Sequence, residues 1–169
     1  MRKDASECGL RPLRSTSGSR MRRILFIAYH FPPIGYSGTQ RSVKFVRYLP
    51  EHGFEPVVLT GPLHGGDIPI DETLAHELAA GLLVLRARGP EPDARTGWPG
   101  RAERWFGLER PWSRWWVEAA VAAGREAAAG CDVIFATMSP FESAEVAARL
   151  ALETGKPWVA DLRDPWALD

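Results

Sequence analysis

Five short apolar runs recur along the chain, each separated from the next by a stretch of helical character, and this alternation constrains the fold more than any other feature. The runs are 24-ILFIAYH-30, 55-EPVVLT-60, 82-LLVLRA-87, 132-DVIFAT-137 and 157-PWVAD-161. Their apolar residues are largely continuous, as in parallel strands buried on both faces. Between the first two runs, Val43, Val46 and Leu49 fall at helical spacing with Phe45 beside them, while Arg41, Lys44 and Arg47 take other faces. Pro50 and Gly53 close that helix. Residues 71–80 predict a short helix with Asp71 and Glu72 in its first turn, and residues 112–129 an Ala-rich one. The tetrapeptide Ser139-Pro140-Phe141-Glu142 reads as an N-cap serine, a proline at the first helical position and a glutamate three residues after the cap. It predicts a helix from Ser139 to about Thr154, stopped by Gly155. Strand and helix in this order predict an α/β fold: a Rossmann-like, doubly wound parallel sheet with right-handed crossovers and strand order 3-2-1-4-5.

The length of 169 residues suits one domain with its own core. Lysine plus arginine and aspartate plus glutamate balance at 21 each, so no polyanion partner is implied and nucleic acid is not expected. Residues 1–20 are polar and aperiodic and read as a disordered leader before the domain at 21–169. The two cysteines, Cys8 and Cys131, fit no zinc or redox spacing and predict no disulfide, hence a reducing, cytoplasmic setting. No pair of histidines has metal-ligand spacing, and no metal is expected. No apolar run reaches the roughly 18 residues of a membrane span.

In such a sheet, ligands bind outside the carboxyl ends of the strands. That edge should hold His30 and the loop to Gly38, Thr60 with Gly61, Thr137 with Ser139, and Asp161 onward. Gly35, Ser37 and Gly38 precede a helix, where backbone amides attract phosphate or carboxylate; the alternative is a tight turn needing glycine torsions. The loop is not GxGxxG, and the second strand ends Leu59-Thr60 without an acidic residue, which counts against a dinucleotide site. His30 orients a hydroxyl or shuttles a proton, or else bonds nearby backbone. Asp161, Arg163 and Asp164 bind hydroxyls, hold a charged group or serve as acid or base, or else form an internal Asp–Arg pair that fixes the loop before Pro165. Trp98, Trp105, Trp112, Trp115 and Trp116, with arginines between them, form either an interfacial segment or large side chains packed on the sheet. Trp158 is expected in the core.

Three stretches, 24-ILFIAYHFPPIGYSGTQRSVKFVRYLPEHGFEPVVLT-60, 132-DVIFATMSPFESAEVAARLA-151 and 156-KPWVADLRDPW-166, together resemble the N-terminal domain of family 4 glycosyltransferases. The likeness is to the bacterial cell-surface polysaccharide type. It implies one half of a GT-B fold, binding the acceptor. A second Rossmann-like domain, absent from residues 21–169, would bind the nucleotide-sugar donor through paired glutamates. Transfer would be retaining, without metal or other cofactor, onto a cell-surface glycan or lipid-linked acceptor. On this reading Asp161, Arg163 and Asp164 line the acceptor pocket as the catalytic set. Gly38 and its neighbours Gly35 and Ser37 approach the donor phosphates, with His30, Thr137 and Ser139 as further substrate contacts. Two positions depart from the family: Ser37 stands where a second glycine is common, and Thr137 where many relatives carry a histidine. The expectations are a chain inactive alone, completed by a donor domain in cis or on a separate chain. It would work in the cytoplasm, where the inner membrane face is a natural place for a lipid-linked acceptor. The competing reading is a non-catalytic nucleotide-binding or interaction module.

Overall fold

The computed structural model describes residues 20–63, 69–88 and 111–163, with the side chains of 111 and 112 excepted. The strands are β1 (Arg22–Ala28), β2 (Phe54–Thr60), β3 (Leu83–Arg86), β4 (Val133–Thr137) and β5 (Trp158–Asp161). They form one all-parallel sheet in the order β3-β2-β1-β4-β5, the order expected from the alternation. The helices are α1 (Ser37–Tyr48), α2 (Thr73–His76), α3 (Pro111–Ala129) and α4 (Ser143–Thr154). A 3-10 turn, Leu49–His52, follows α1.

The continuous apolar strands are explained by two cores, one on each face. In β1, Leu25 and Ile27 point to a cluster with Val57, Leu59 and Ile134 that α3 and α4 cover through Trp116, Val146 and Leu150. Phe26 and Ala28 point the other way, to Phe31, Val58 and the α1 residue Val46. Each large apolar side chain removed from water contributes about 1.5–3 kcal/mol, so neither face of the central strand tolerates a polar residue. Helix ends follow the sequence signals: Gly53 and Gly155 sit at φ 80° and 68°, left-handed positions after the last turns.

Three expectations are corrected. The helix after β4 starts at Ser143, not at Ser139. The Glu142 carboxylate accepts from Ser113 Oγ of α3 at 2.7 Å instead of reaching back to residue 139, so no capping box closes. The Ser139 amide donates to Thr137 O at 3.1 Å, and the Ser139-Pro140 peptide is cis. The helix predicted over 71–80 is a single turn, Thr73–His76, entered through Asp71, whose carboxylate accepts the Thr73 amide at 3.0 Å. Trp158 is not core: β5 is an edge strand, and Trp158 and Val159 are exposed. Of the tryptophan-rich segment, Trp116 is fully buried and Trp115 packs beside it, so these two belong to the core under α3. Trp98 and Trp105 lie outside the described residues.

Candidate ligand site at the carboxyl edge of the sheet

The strand order brings the ends of β1, β4 and β5 side by side beneath the amino end of α1. Two arginines close this corner, and they come from opposite ends of the described chain. Arg41, one turn into α1, grips Asp161 at the end of β5 with both oxygens engaged, Nη2 to Oδ1 at 2.6 Å and Nε to Oδ2 at 3.2 Å. The Asp161 side chain is only 11% exposed against 51% for Arg41, so the carboxylate is the anchored partner. Its hydrogen bond holds the Arg41 guanidinium above its ordinary pKa. Arg163, two residues on, donates from Nη2 to the Gly38 carbonyl at 2.6 Å. A Cβ on Gly38 would lie 2.5 Å from Arg163 Nη1, so glycine there makes room for the guanidinium. Among the described residues Asp161 thus pairs with Arg41 of α1, and Arg163 bonds the Gly38 backbone.

Around this clasp the backbone is partly open. Ser37 is exposed, and the amides of Ser37 and Gly38 meet no backbone acceptor among the described residues. No side-chain cap covers them. Unpaired amides at the start of a twelve-residue helix favour an anionic group. Thr39, the next residue, is fully buried and its hydroxyl has no hydrogen-bond partner among the described residues. The Thr137 hydroxyl, at the end of β4, is in the same condition at 2% exposure. Thr137 sits in register with Asp161, and the Met138 amide donates to Asp161 O at 3.0 Å.

The remaining predicted residues divide. His30 lies half-buried between the rings of Tyr29 and Tyr36, edge-on at 4.9 and 4.8 Å, which fixes its plane beside the amino end of α1. Gly35 belongs to a different contact. Its amide donates to Pro69 O at 2.7 Å, and a Cβ there would come within 2.9 Å of Asp71 Cβ. It serves the packing of residues 33–35 on 69–71 and is not one of the open amides. Ser139 is half-buried in the turn before α4. Asp164 lies outside the described residues.

Sequence reasoning missed two residues. Arg41 stands in the sequence as one of three basic residues on the other faces of α1, and its partner stands 120 positions away. Arg86 ends β3, half-buried, and bonds the carbonyls of Pro32 and Gly61 at 2.6 and 3.3 Å. An apolar run ending in arginine at the ligand edge was the available signal. Among the described residues no cluster of three or more His, Cys, Asp or Glu could hold a metal ion, and no helix is long and apolar enough to cross a membrane. Comparison with protein-family models, with curated proteins and with solved structures returned no match.

Proposed function

We propose that this domain is the acceptor-side half of a retaining glycosyltransferase, one that moves a sugar from a nucleotide-sugar to a cell-surface glycan or lipid-linked acceptor. The observation that carries it is the clasp between the start of α1 and the end of β5. Gly38 and Arg41 belong to the first stretch that resembles family 4 glycosyltransferases, and Asp161 and Arg163 to the third; they bond one another directly. Beside them, the Ser37 and Gly38 amides are free to donate to a phosphate oxygen, and the Thr137 and Thr39 hydroxyls have no partner among the described residues.

The chemistry sets the division of labour. Glycosyl transfer needs the departing diphosphate stabilised and the acceptor hydroxyl held near the anomeric carbon. One Rossmann-like unit offers one wall of such a cleft. The α1 amides would face the donor phosphates, while Asp161, held by Arg41, and Arg163, held on Gly38 O, would shape the acceptor side. A second unit, in cis or on another chain, would carry the nucleotide. The site takes no metal or organic cofactor on this reading, and the protein would act in the cytoplasm at the inner membrane face.

The test uses residues 1–169 with UDP-glucose and GDP-mannose, read by saturation-transfer NMR, and with a polyprenyl-linked glycan, read by product formation. Weak nucleotide-sugar contact through the phosphates, abolished by Gly38→Val, with negligible turnover, is the expected result. Efficient transfer by this domain alone would refute the two-half division. Tight NAD binding would assign the domain to the nucleotide-binding alternative.

A further inference from the structure

Strand β5 ends the sheet, and among the described residues no strand pairs with its outer side. A free strand edge is a template for another strand. The bonds on its inner side define what the outer side offers. The Ile134 amide donates to Pro157 O and the Met138 amide to Asp161 O, each at 3.0 Å. Backbone groups alternate in direction along a strand, so Pro157, Val159 and Asp161 face β4, while Trp158 and Ala160 face outward. The proline therefore removes no donor from the free edge. Edges are commonly blunted by a charge, a bulge or an outward proline, and from Pro157 to Ala160 this one has none of them.

The side chains along this edge are apolar and uncovered. Trp158 is in register with Ile134 and so lies on the face under α3 and α4; Val159 is in register with Phe135, on the α1 face. They are 38% and 48% exposed, and Ala160 is exposed as well. Helix α4 continues this surface. Its Val146, Ala147 and Leu150 are buried, and its Arg149 and Glu153 bond Glu118 and Arg125 of α3. Ala144, Ala148 and Leu152, four residues apart, share the remaining side, turned away from α3. Leu152 is 85% exposed. Past the strand, Arg163 bonds Gly38 O, which holds that residue on the α1 side.

We propose that this edge pairs antiparallel with the same edge of a second copy of the chain, about a two-fold axis, joining the two sheets into one. The edge is complementary to itself. With Trp158 opposite the second copy's Ala160, each such pair exchanges two backbone hydrogen bonds through its outward groups. On the α4 face the largest side chain then meets the smallest, and on the α1 face Val159 meets its own counterpart. No like charges oppose one another: residues 157–160 are uncharged, and Lys156 stands opposite the second copy's Leu162. The Leu152 sides of the two α4 helices come to face each other above the pairing. Two short strands and two helix sides make an interface at the small end of specific pairings, about 1,200 Å², so association is expected in the micromolar range. The α1 clasp stays open, and the pairing does not depend on the glycosyltransferase reading.

Sedimentation equilibrium of the full chain, from low to high micromolar concentration, should show a monomer–dimer equilibrium. Ala160→Pro removes the outward amide, and Ala160→Lys sets a charge against the second copy's Trp158; each should weaken the dimer at least tenfold. Register is read by cross-linking. Val159 and its counterpart form a pair without backbone hydrogen bonds, their Cα atoms about 4.5 Å apart and within disulfide reach. Val159→Cys should therefore link two copies on mild oxidation. Ala160→Cys, which stands opposite Trp158, should not, nor should the parent chain with Cys8 and Cys131. A full chain that stays monomeric throughout, as it would with residues 164–169 folded back on the edge, overturns the proposal. So does a dimer unaffected by both Ala160→Pro and Ala160→Lys, or one that Val159→Cys and Ala160→Cys link equally.

Discussion

At the scale of single residues, two glycines have different reasons for being glycine, and substitution separates them. At Gly61 the obstacle to a Cβ is backbone, the Tyr29 carbonyl at 2.8 Å, with the Tyr29 ring at 3.0 Å. Main chain must move to admit even a methyl group. Gly61→Ala should therefore destabilise the domain by about 1–3 kcal/mol, the usual range for overpacking, read as a lower urea midpoint at unchanged slope. At Gly38 the obstacle is the tip of a side chain, Arg163 Nη1, which can swing away. Gly38→Ala should leave the unfolding free energy within about 0.5 kcal/mol of the parent, while the Arg163 Nη resonances lose their protection from exchange. Equal stability losses at the two sites would mean that the Arg163 clasp is as rigid as backbone. Such distinctions are invisible in the sequence, where one glycine simply follows a strand and the other opens a helix. They depend on which atoms the fold brings within 3 Å.

Elements follow their sequence patterns where burial decides and depart from them where a single polar contact decides. The five strands were legible because two-sided burial demands continuous apolar runs, as in Leu25-Phe26-Ile27-Ala28. The start of α4 was not, because Glu142 takes Ser113 as its partner, a residue of another helix. The same two helices also show how closely α3 rides on the sheet. Gly124 of α3 is fully packed, and a Cβ there would come within 2.6 Å of Leu59 Cδ2 in β2 and 3.2 Å of Leu150 Cδ1 in α4. Both leucines are fully buried and have nowhere to retreat. A helical glycine normally gives way to alanine with a gain of about 1 kcal/mol; here the clash opposes that gain. Gly124→Val adds a branched side chain at the point of contact and should lose about 1–3 kcal/mol in urea denaturation. A stabilised Gly124→Val would show that α3 sits farther from β2 than the structure has it.

For the whole molecule, the order β3-β2-β1-β4-β5 follows from alternation and handedness, but the site does not follow from either alone. Asp161 and Arg163 were legible as candidates because they end a strand at the ligand edge. Arg41 was not, since only the finished sheet sets α1 against β5. The charged surface has the same long-range character, and it sets how stability responds to pH. Glu77 is held below the usual carboxylate pKa by hydrogen bonds from Lys44 and from Arg47, and Glu153 by its hydrogen bond from Arg125. A depressed folded pKa stabilises above the unfolded value and is lost as pH falls through the folded one. Cys131 has the opposite sign: burial pushes its thiol up, so its contribution is present below the ordinary thiol pKa and lost as pH rises through the raised value. Stability should form a plateau from weakly acidic to mildly alkaline pH, with separable limbs. Glu77→Gln should flatten the acid limb and leave the alkaline one, and Cys131→Ala the reverse, whatever each does to the plateau height. Urea midpoints from pH 3 to 10 measure both. Because Glu153 is exposed and Glu77 only partly buried, 1 M salt should shrink the acid limb, while the alkaline limb, set by burial of the thiol, should persist. An acid limb indifferent to both salt and Glu77→Gln would mean that α1 and α2 are not tied through Glu77 in solution.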